Sequence, residues 1–439
     1  MSSGASARSR RAWVFVRYSS LRPLALCLAL LAGCDRADER VELRFWGLGR
    51  EGEVVAELAR EFEQENPGIV IRVQQIPWTA AHEKLLTAYV GEATPDLAQL
   101  GNTWVPEFTA VGALERLDPW VAASQTVTRS GYFDGIWQTN VIDGGIYGLP
   151  WYVDTRVLFY RTDILKEAGF DSIPGSWPEW REAMQRVDGR GTERYAIFLP
   201  TNEWAQPVMF GLQAGSPLLT ENGRRGAFSE PAFRDAFTFY IELYRSGLAP
   251  VMGNNDMSNV YQEFARGFFS MYITGPWNIG EFQRRLPADM EGKWTTATMP
   301  GPDGAESGVS LAGGSSLVLF RASEHKEEAW RFMEYLARPD VQFRFFQLTG
   351  DLPARVEAWQ DSALIGNAYA RAFYNQLQRV VPTPKVPEWE QIATKIYEAA
   401  EAVIRGGVSI DAALEALDRD VNELLAKRRQ LLDEANRGS

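Results

Sequence analysis

The chain has 439 residues, 45 of them Lys or Arg and 57 Asp or Glu, and a formal net charge of −12. This acidic balance argues against nucleic acid or an anionic membrane surface as a partner. Its only cysteines, Cys27 and Cys34, and its only histidines, His82 and His325, leave little material for a disulfide framework, a zinc site or a histidine-dependent triad. We expect neither a metal nor an organic cofactor.

The N-terminus has the pattern of an export signal. Residues 1–33 contain five arginines and no acid, and they end in a short apolar run from Leu24 to Leu31. That run is about half of the ~20 residues that a membrane-spanning helix needs, so the pattern predicts a cleaved signal peptide at 1–33. One interpretation of this segment is an ordinary signal peptide that contains a cysteine.

The segment Leu31-Ala32-Gly33-Cys34 resembles the lipobox of bacterial lipoproteins, in which the cysteine is acylated and becomes the first mature residue. That resemblance makes Cys34 the lipidation site. Asp35 resembles the signal that keeps lipoproteins on the inner membrane of Gram-negative bacteria, so we expect a lipid-anchored protein on the periplasmic side. The 406 residues after the signal carry 40 basic and 57 acidic side chains, a net charge of −17, and exceed one usual core, so two lobes are expected.

Hydrophobic periodicity predicts an alternation of strands and helices in the first part of the chain. The predicted elements are a strand over 41–45, a helix over 54–62 ended by Asn66-Pro67-Gly68, a strand over 69–73, a helix over 80–90 and a buried strand over 95–100. Such an alternation within about 60 residues is typical of an α/β fold with a largely parallel sheet.

The rest of the chain is predicted to be richer in helices. Residues 176–290 have a mostly helical pattern, 315–320 form a strand, and a helix through 330–336 ends at Arg338-Pro339. Residues 409–436 are predicted to form one or two solvated helices.

Two short motifs match enzyme signatures without the residues that those signatures require. Gly47-Leu48-Gly49-Arg50-Glu51-Gly52 fits a dinucleotide fingerprint, but no acid ends the next strand to hold a ribose, so we expect these glycines to let a ligand approach the strand end. Ser323-Glu324-His325-Lys326 fits a serine-hydrolase pattern without its partner motifs, and Ser323 is predicted to cap a helix. Because no P-loop is present, the chain is not expected to hydrolyse ATP.

Tryptophan is abundant and often stands near predicted turns. Fifteen tryptophans are present, and six of them lie near predicted element ends: Trp46, Trp104, Trp151, Trp204, Trp277 and Trp359. Indole faces stack against the apolar faces of sugar rings, while nearby polar groups bind the hydroxyls. Core packing is the alternative role for any one of them.

A series of short motifs occurs in a fixed order between residue 41 and about residue 390. They are Thr94-Pro95-Asp96-Leu97, Tyr147-Gly148-Leu149-Pro150-Trp151, 158–169, 174–180, 264–277, Gly313-Gly314 and 350–355. Together they resemble the extracellular solute-binding proteins of ABC importers, and within them the sugar-binding branch of maltose- and trehalose-binding proteins.

The resemblance implies the periplasmic binding protein fold: two α/β lobes with a ligand cleft between them and several hinge crossings. It assigns 41–151 plus 312–355 to the N-terminal lobe and 152–311 plus 356–439 to the C-terminal lobe. It further implies a monomer without enzymatic activity that captures a carbohydrate, such as a di- or oligosaccharide or an α-glucoside, and delivers it to the membrane permease of an ABC transporter.

The same resemblance implies a set of ligand-binding positions. Trp277 is expected to lie under a sugar ring and Arg355 to hydrogen-bond sugar hydroxyls. The full expected set is Trp46, Gly47, Asn102, Trp104, Trp151, Asp154, Glu203, Trp204, Trp277, Gly313, Gly314 and Arg355.

Two alternatives stay open at the level of sequence. One is a lipid-anchored periplasmic enzyme that processes glycans with an acid pair in the cleft. The other keeps the fold but binds a polyamine, a polyol phosphate or a peptide. A phosphate ligand favours clustered Arg and Lys, whereas Asp154 and Glu203 would suit a polyamine.

Overall fold

The computed structural model describes residues 40–189, 191 and 193–438. The predicted signal peptide, Cys34 and Asp35 lie outside the described residues. Within the part of the chain that is described, no helix is both long enough and apolar enough to span a membrane.

The strands, in chain order, are β1 (Val41–Leu48), β2 (Ile69–Ile76), β3 (Leu97–Gly101), β4 (Val141–Ile142), β5 (Gly145–Ile146), β6 (Leu149–Asp154), β7 (Val157–Arg161), β8 (Tyr195–Phe198), β9 (Leu219–Thr220), β10 (Arg225–Gly226), β11 (Phe269–Thr274), β12 (Trp294–Ala297), β13 (Ser310–Leu311), β14 (Gly313–Leu319), β15 (Leu352–Pro353) and β16 (Val380–Val381).

The helices, in chain order, are α1 (Gly49–Glu65), α2 (Trp78–Val90), α3 (Val105–Ala110), α4 (Asp118–Ala123), α5 (Asp134–Gln138), α6 (Thr162–Glu167), α7 (Trp177–Asp188), α8 (Ala205–Gln213), α9 (Pro231–Arg245), α10 (Val260–Ala265), α11 (Trp277–Arg285), α12 (Lys326–Leu336), α13 (Pro339–Thr349), α14 (Ser362–Ile365), α15 (Ala368–Leu377), α16 (Trp389–Ile404), α17 (Ile410–Leu424) and α18 (Ala426–Gly438). Short 3-10 turns include Asn102–Trp104 and Val356–Gln360.

The larger sheet has the strand order β15-β6-β14-β3-β1-β2. β1 pairs in parallel with β2 and β3, as the periodicity predicted. The prediction of a largely parallel sheet is wrong for the other half, because β14 is antiparallel to β3 and β6, and β15 is antiparallel to β6. These three strands come from distant parts of the chain, and their direction is not set by the local β-α-β connection that makes neighbours parallel.

The smaller sheet has the order β12-β7-β11-β8 and forms the second lobe. The chain enters it directly from the larger sheet, since only two residues separate β6 from β7. It leaves the second lobe between β13 and β14, which Ala312 alone separates, and crosses again after β15. β6 belongs to the larger sheet through Asp154, three residues beyond the expected lobe boundary, and the lobe assignment as a whole stays a prediction.

Each sheet has an aromatic core of its own. Phe332 of α12 packs its ring 5.8 Å from Phe45 of β1 and 5.0 Å from Phe62 of α1. On the second lobe, Trp177 stacks on Phe239 at 4.4 Å between ring centroids. Large buried rings beside each sheet supply the apolar burial that stabilises both lobes.

The predicted elements and the observed ones agree closely at the N-terminus and less closely elsewhere. The region 176–290 contains five helices but also β8 and β11 among its described residues. Ser323 does not cap α12: the N-cap residue is His325, and the Ser323 hydroxyl donates to Asp96 at 2.7 Å. Its role is to tie the start of this helix to the segment before β3.

Candidate functional site

A cavity of about 390 Å³ lies where residues from both sheets meet. The larger sheet contributes the turn after β3, the end of β6 and the start of β14, and the smaller sheet contributes the junction between β11 and α11. Four indoles line the cavity, namely Trp78, Trp104, Trp204 and Trp277. The side chains between them include three acids and one guanidinium: Glu51, Asp154, Asp351 and Arg156.

The indoles on the larger-sheet side support one another. Trp78 and Trp104 meet edge to face with their centroids 5.7 Å apart. Behind Trp104 lies the His82 ring at 5.1 Å, and His82 is itself fixed by a 2.6 Å contact between its Nε2 and Glu107. This hydrogen bond raises the pKa of His82 above its usual range. Trp104 is therefore held in place at the cavity by a hydrogen-bonded histidine.

The indoles on the smaller-sheet side differ in exposure. Trp204 packs edge to face on the buried Trp389 with 5.6 Å between centroids. Trp277 is 42% exposed, and the Arg156 guanidinium lies 4.8 Å from its ring centroid. An exposed indole at the first position of a helix, facing a cavity, is available to stack on a ligand.

Glu51 is the best-connected acid of the cavity. The Tyr152 hydroxyl donates to Glu51 Oε1 at 3.0 Å, and the Trp78 indole nitrogen lies 3.4 Å from its Oε2. Tyr152 in turn accepts from Gln99 Nε2 at 3.2 Å, and Gln99 accepts from the backbone N–H of Leu48 at 2.8 Å. This chain of hydrogen bonds links β1, β3 and β6 and fixes the Glu51 carboxylate at the cavity.

Asp154 and Arg156 form an ion pair across the first crossing between the sheets. Burial raises the pKa of Asp154, and the adjacent guanidinium counteracts part of that rise. The positive charge of Arg156 therefore compensates the negative charge of Asp154, and this arginine is not left unpaired in the cavity.

Asp351 and Tyr152 are the groups whose titration the cavity perturbs most clearly. Burial, together with the negative charge of Glu51, raises the pKa of Asp351 to about 7. Burial also raises the pKa of Tyr152 well above its usual value, so this phenol stays neutral and remains a hydrogen-bond donor.

The cavity floor requires glycine at the second crossing. A Cβ on Gly313 would lie 2.0 Å from the carbonyl oxygen of Asp154, and one on Gly314 would lie 2.2 Å from that of Tyr152. Gly314 also has a φ of +141°, which residues with a side chain rarely adopt. The two glycines therefore let β14 approach β6 closely beside the acids.

Seven of the twelve expected ligand-binding residues line this one cavity. They are Asn102, Trp104, Asp154, Trp204, Trp277, Gly313 and Gly314. Asn102 donates its amide to the carbonyl of Ala312 at 2.7 Å and so fixes the turn that carries Trp104. Whether these residues contact a ligand stays a prediction.

Three expected residues are not among those that line the cavity and lie in packed surroundings. Trp46 packs beneath Lys84, whose Nζ is 5.0 Å from its ring. Trp151 is fully buried and stacks on Phe345 at 4.4 Å. A Cβ on Gly47 would lie 2.6 Å from the Cα of Gly52, so that glycine of the fingerprint-like loop serves close packing between β1 and α1 and does not open space for a ligand.

The remaining two expected residues have partners within the protein. Arg355 is 4% exposed, and its guanidinium donates to the carbonyls of Thr126 at 2.6 Å and Ala337 at 3.1 Å and pairs with Glu357. Arg355 is not among the residues that line the cavity, and these bonds brace the chain after β15; its contact with a ligand stays a prediction. Glu203 accepts from Asn254 Nδ2 at 2.9 Å and is not in the cavity lining.

Several lining residues were missed by the sequence reasoning. They are Glu51, Trp78, Tyr152, Arg156, Asp351 and Thr383. Glu51 lies in the loop that fits the dinucleotide fingerprint, and Tyr152 follows Trp151 by one position. Because side chains alternate along a strand, Tyr152 and Asp154 share the cavity face of β6 while Trp151 points into the core.

Comparison with known proteins identifies the family of this chain. Residues 46–343 match the family described as bacterial extracellular solute-binding protein. The chain is similar to the sugar-binding protein MalE from the phytopathogen Xanthomonas citri, with 48% identity, coverage of 90% of this chain and 99% of that chain, and a TM-score of 0.87. It is 26% identical to a diacetylchitobiose binding protein of Streptomyces coelicolor, with 85% of this chain and 87% of that protein covered.

A maltodextrin-binding protein of Bacillus subtilis is a further relative, 23% identical, with 85% of this chain and 89% of that protein covered. The two sheets and the likeness to MalE over nearly the whole of both chains confirm the expected periplasmic binding protein fold. The chain belongs to the bacterial extracellular solute-binding proteins.

Proposed function

We propose that this chain is the substrate-binding component of an ABC importer, which captures a di- or oligosaccharide, such as an α-glucoside, and delivers it to a membrane permease. The observation that carries the proposal is the placement of four indoles and three carboxyl groups around one cavity. Indole faces stack on the apolar faces of sugar rings, and carboxylates accept hydrogen bonds from hydroxyls. The volume of about 390 Å³ falls in the range of roughly 300–1,000 Å³ that small-molecule sites occupy.

The relatives support the same class of ligand. The solved structure that shares 48% identity with this chain is described as a sugar-binding protein, and two of the other relatives bind diacetylchitobiose and maltodextrin by their names. The relatives are named for different saccharides, which favours a saccharide as the ligand here without selecting one of them.

Capture follows from the placement of the indoles on both sheets. A ligand that contacts Trp104 beside β3 and Trp277 at the start of α11 binds best when the two lobes approach each other, so it stabilises the closed arrangement. Closure excludes water and strengthens the polar contacts to Glu51 and its neighbours. The closed protein then docks on the permease, and a separate subunit hydrolyses ATP.

The charge of the cavity bears on the competing ligands. A phosphate group needs clustered arginine or lysine, whereas Arg156, the one guanidinium among the described residues that line the cavity, is paired with Asp154. A polyamine would find acceptors in Glu51 and Asp351 and is the ligand to be tested against a saccharide. The glycan-processing enzyme loses support because the chain's family and fold are those of transport binding proteins.

A thermal-shift screen tests the ligand class. The chain is heated with maltose, trehalose, chitobiose, spermidine and glycerol phosphate, each at a concentration well above the micromolar range. A ligand present at about 100 times its Kd adds roughly 2.7 kcal/mol of stability, and we expect this from a saccharide that mass spectrometry recovers unchanged. Stabilisation by spermidine alone, or conversion of a saccharide, would contradict the proposal.

We place the protein on the periplasmic side of the inner membrane, as a monomer anchored by lipid on Cys34. Labelled palmitate should enter the wild-type chain and the Cys27→Ser variant, whose changed cysteine lies in the signal, but not the Cys34→Ser variant. Equal labelling of all three would refute the anchor. The Asp35→Ser variant should move to the outer membrane on fractionation, and an unchanged distribution would count against the inner-membrane assignment.

A further inference from the structure

Asp351 occupies an unusual position among the acids of the cavity. It is the second residue after α13 and directly precedes β15, and its own N–H donates to the Thr349 hydroxyl at 3.0 Å. Its side chain lines the same cavity as Glu51 and Asp154. Unlike Asp154, it forms no ion pair with any described lysine or arginine across residues 40–189, 191 and 193–438.

The charged groups that face Asp351 are mostly negative. The start of α1 brings Glu51 and Arg50, and the Arg50 guanidinium donates to the carbonyl of Leu348 at 3.1 Å. Its positive charge lowers the pKa of Asp351 less than Glu51 raises it.

The other elements packed around Asp351 add no counter-charge. β6 brings Asp154, which is already paired with Arg156, and the neutral phenol Tyr152. Burial is the largest cause of the pKa of about 7, and the neighbouring Thr349 hydroxyl opposes it.

Three hydrogen-bond donors of the cavity are directed, at least in part, at the protein itself. The Tyr152 hydroxyl donates to Glu51, the Asn102 amide donates to a backbone carbonyl, and the Arg156 guanidinium donates to Asp154. A saccharide, however, has ring and glycosidic oxygens that only accept. An ionised carboxylate cannot donate to such an oxygen, but a neutral carboxylic acid can.

We propose that Asp351 is a specificity-determining residue of the cavity, which binds ligand in its neutral form and donates its proton in a hydrogen bond to an oxygen of the saccharide that has no hydrogen. Glu51, beside it, accepts from a hydroxyl of the saccharide. The proposal rests on the proposed function, because it names how that same site selects a saccharide.

The consequence is that saccharide binding is linked to a proton. If only the neutral form of Asp351 is competent, the apparent affinity follows the neutral fraction. With a pKa of about 7, affinity is nearly constant below pH 6 and falls by up to about 30-fold between pH 6 and pH 8.5. At neutral pH, binding takes up a fraction of a proton from the buffer.

The experiment compares the wild-type chain with Asp351→Asn and with Asp171→Asn as the matched control. The amide introduced by Asp351→Asn is neutral at every pH and keeps an N–H donor, so the affinity of this variant should no longer depend on pH. Asp171 lies on the exposed turn after α6 and is not among the residues that line the cavity, so its variant should behave as the wild type. Maltose is titrated by calorimetry at pH 6.0, 7.0 and 8.5, and at pH 7.0 in phosphate and in Tris to count the protons taken up.

A second arm does not depend on any ligand. The carboxyl carbons of the aspartates are followed by NMR between pH 4 and pH 9, and we expect a resonance with a midpoint near pH 7 that Asp351→Asn removes and Asp171→Asn retains. Absence of any such resonance overturns the proposal, as does identical pH dependence of maltose affinity in all three chains. If maltose gives no heat, that result weighs against the α-glucoside of the proposed function, and the carboxyl titration alone then decides the role of Asp351.

Discussion

Replacing Trp277 by alanine removes the most accessible aromatic face of the cavity. The indole is 42% exposed, and its ring packs above Gly275, where a Cβ would come within 1.8 Å of it. Because so much of the ring is already in water, the change should cost the fold little, and its main effect should be on ligand affinity.

The size of that effect follows from area. A tryptophan buries roughly 150–250 Å² when fully covered, so the exposed 42% corresponds to about 60–100 Å² that a sugar ring can cover. At about 25 cal/mol per Å² this amounts to roughly 2 kcal/mol, which is about a 30-fold loss of affinity. The variant also loses the cation–π contact between Trp277 and Arg156, whose guanidinium lies 4.8 Å from the ring centroid. This loss lowers the stability of the ligand-free protein by about 0.5–1 kcal/mol at most.

The assay is calorimetric titration of the saccharide that the screen selects, together with thermal unfolding without ligand. Trp120→Phe is the control, because Trp120 stacks on Trp330 at 6.2 Å outside the cavity and phenylalanine preserves a ring there. We expect Trp277→Ala to lose at least tenfold in affinity with Tm within about 2 °C of the wild type, and the control to keep its affinity. An affinity of Trp277→Ala within twofold of the wild type would refute the assignment of this indole as a platform.

Three further outcomes follow from the packing. Gly313→Ala should lower Tm by several degrees in thermal unfolding, since its Cβ would meet the Asp154 carbonyl at 2.0 Å; an unchanged Tm would show that the crossing relaxes freely. Arg355→Ala should cost about 2–4 kcal/mol in denaturant unfolding, because two buried carbonyls lose their donor, yet leave the affinity of the folded protein within twofold; a large loss of affinity with normal stability would return Arg355 to the binding site. Because the pKa of Asp351 is raised in the folded protein, its contribution to the free energy of unfolding is fully present below about pH 4 and is lost as pH rises through about 7. Asp351→Asn should therefore raise Tm more at pH 8 than at pH 5. An equal rise in Tm at both pH values would contradict this prediction.

The N-terminal part of the fold was predictable because its signals are local. Alternation in β1 and β2 and helical spacing in α1 and α2 specify elements that then pack beside their sequence neighbours. The antiparallel half of the same sheet was not predictable by this route. β14 pairs with β3, although more than 200 residues separate them along the chain. No local sequence pattern indicates which distant strand pairs with β3 on this side.

The site was predictable in kind and less so in its members. Position near a turn identified Trp104, Trp204 and Trp277, but it also selected Trp151, which the alternation of β6 directs into the core. Asp351 lies in the 350–355 motif, but no pattern in the sequence indicated that it lines the cavity. Its significance comes from burial and from the proximity of Glu51, and those depend on β15 pairing with β6.

The most direct test of the saccharide-capture account is a crystal structure of the chain from residue 40 onward, grown with the saccharide that stabilises it in the thermal-shift screen. The account predicts one sugar ring stacked on Trp277, hydroxyls within hydrogen-bond distance of Glu51, and unaltered glycosidic bonds. A ligand bound outside the cavity, or a cleaved saccharide within it, would contradict the account.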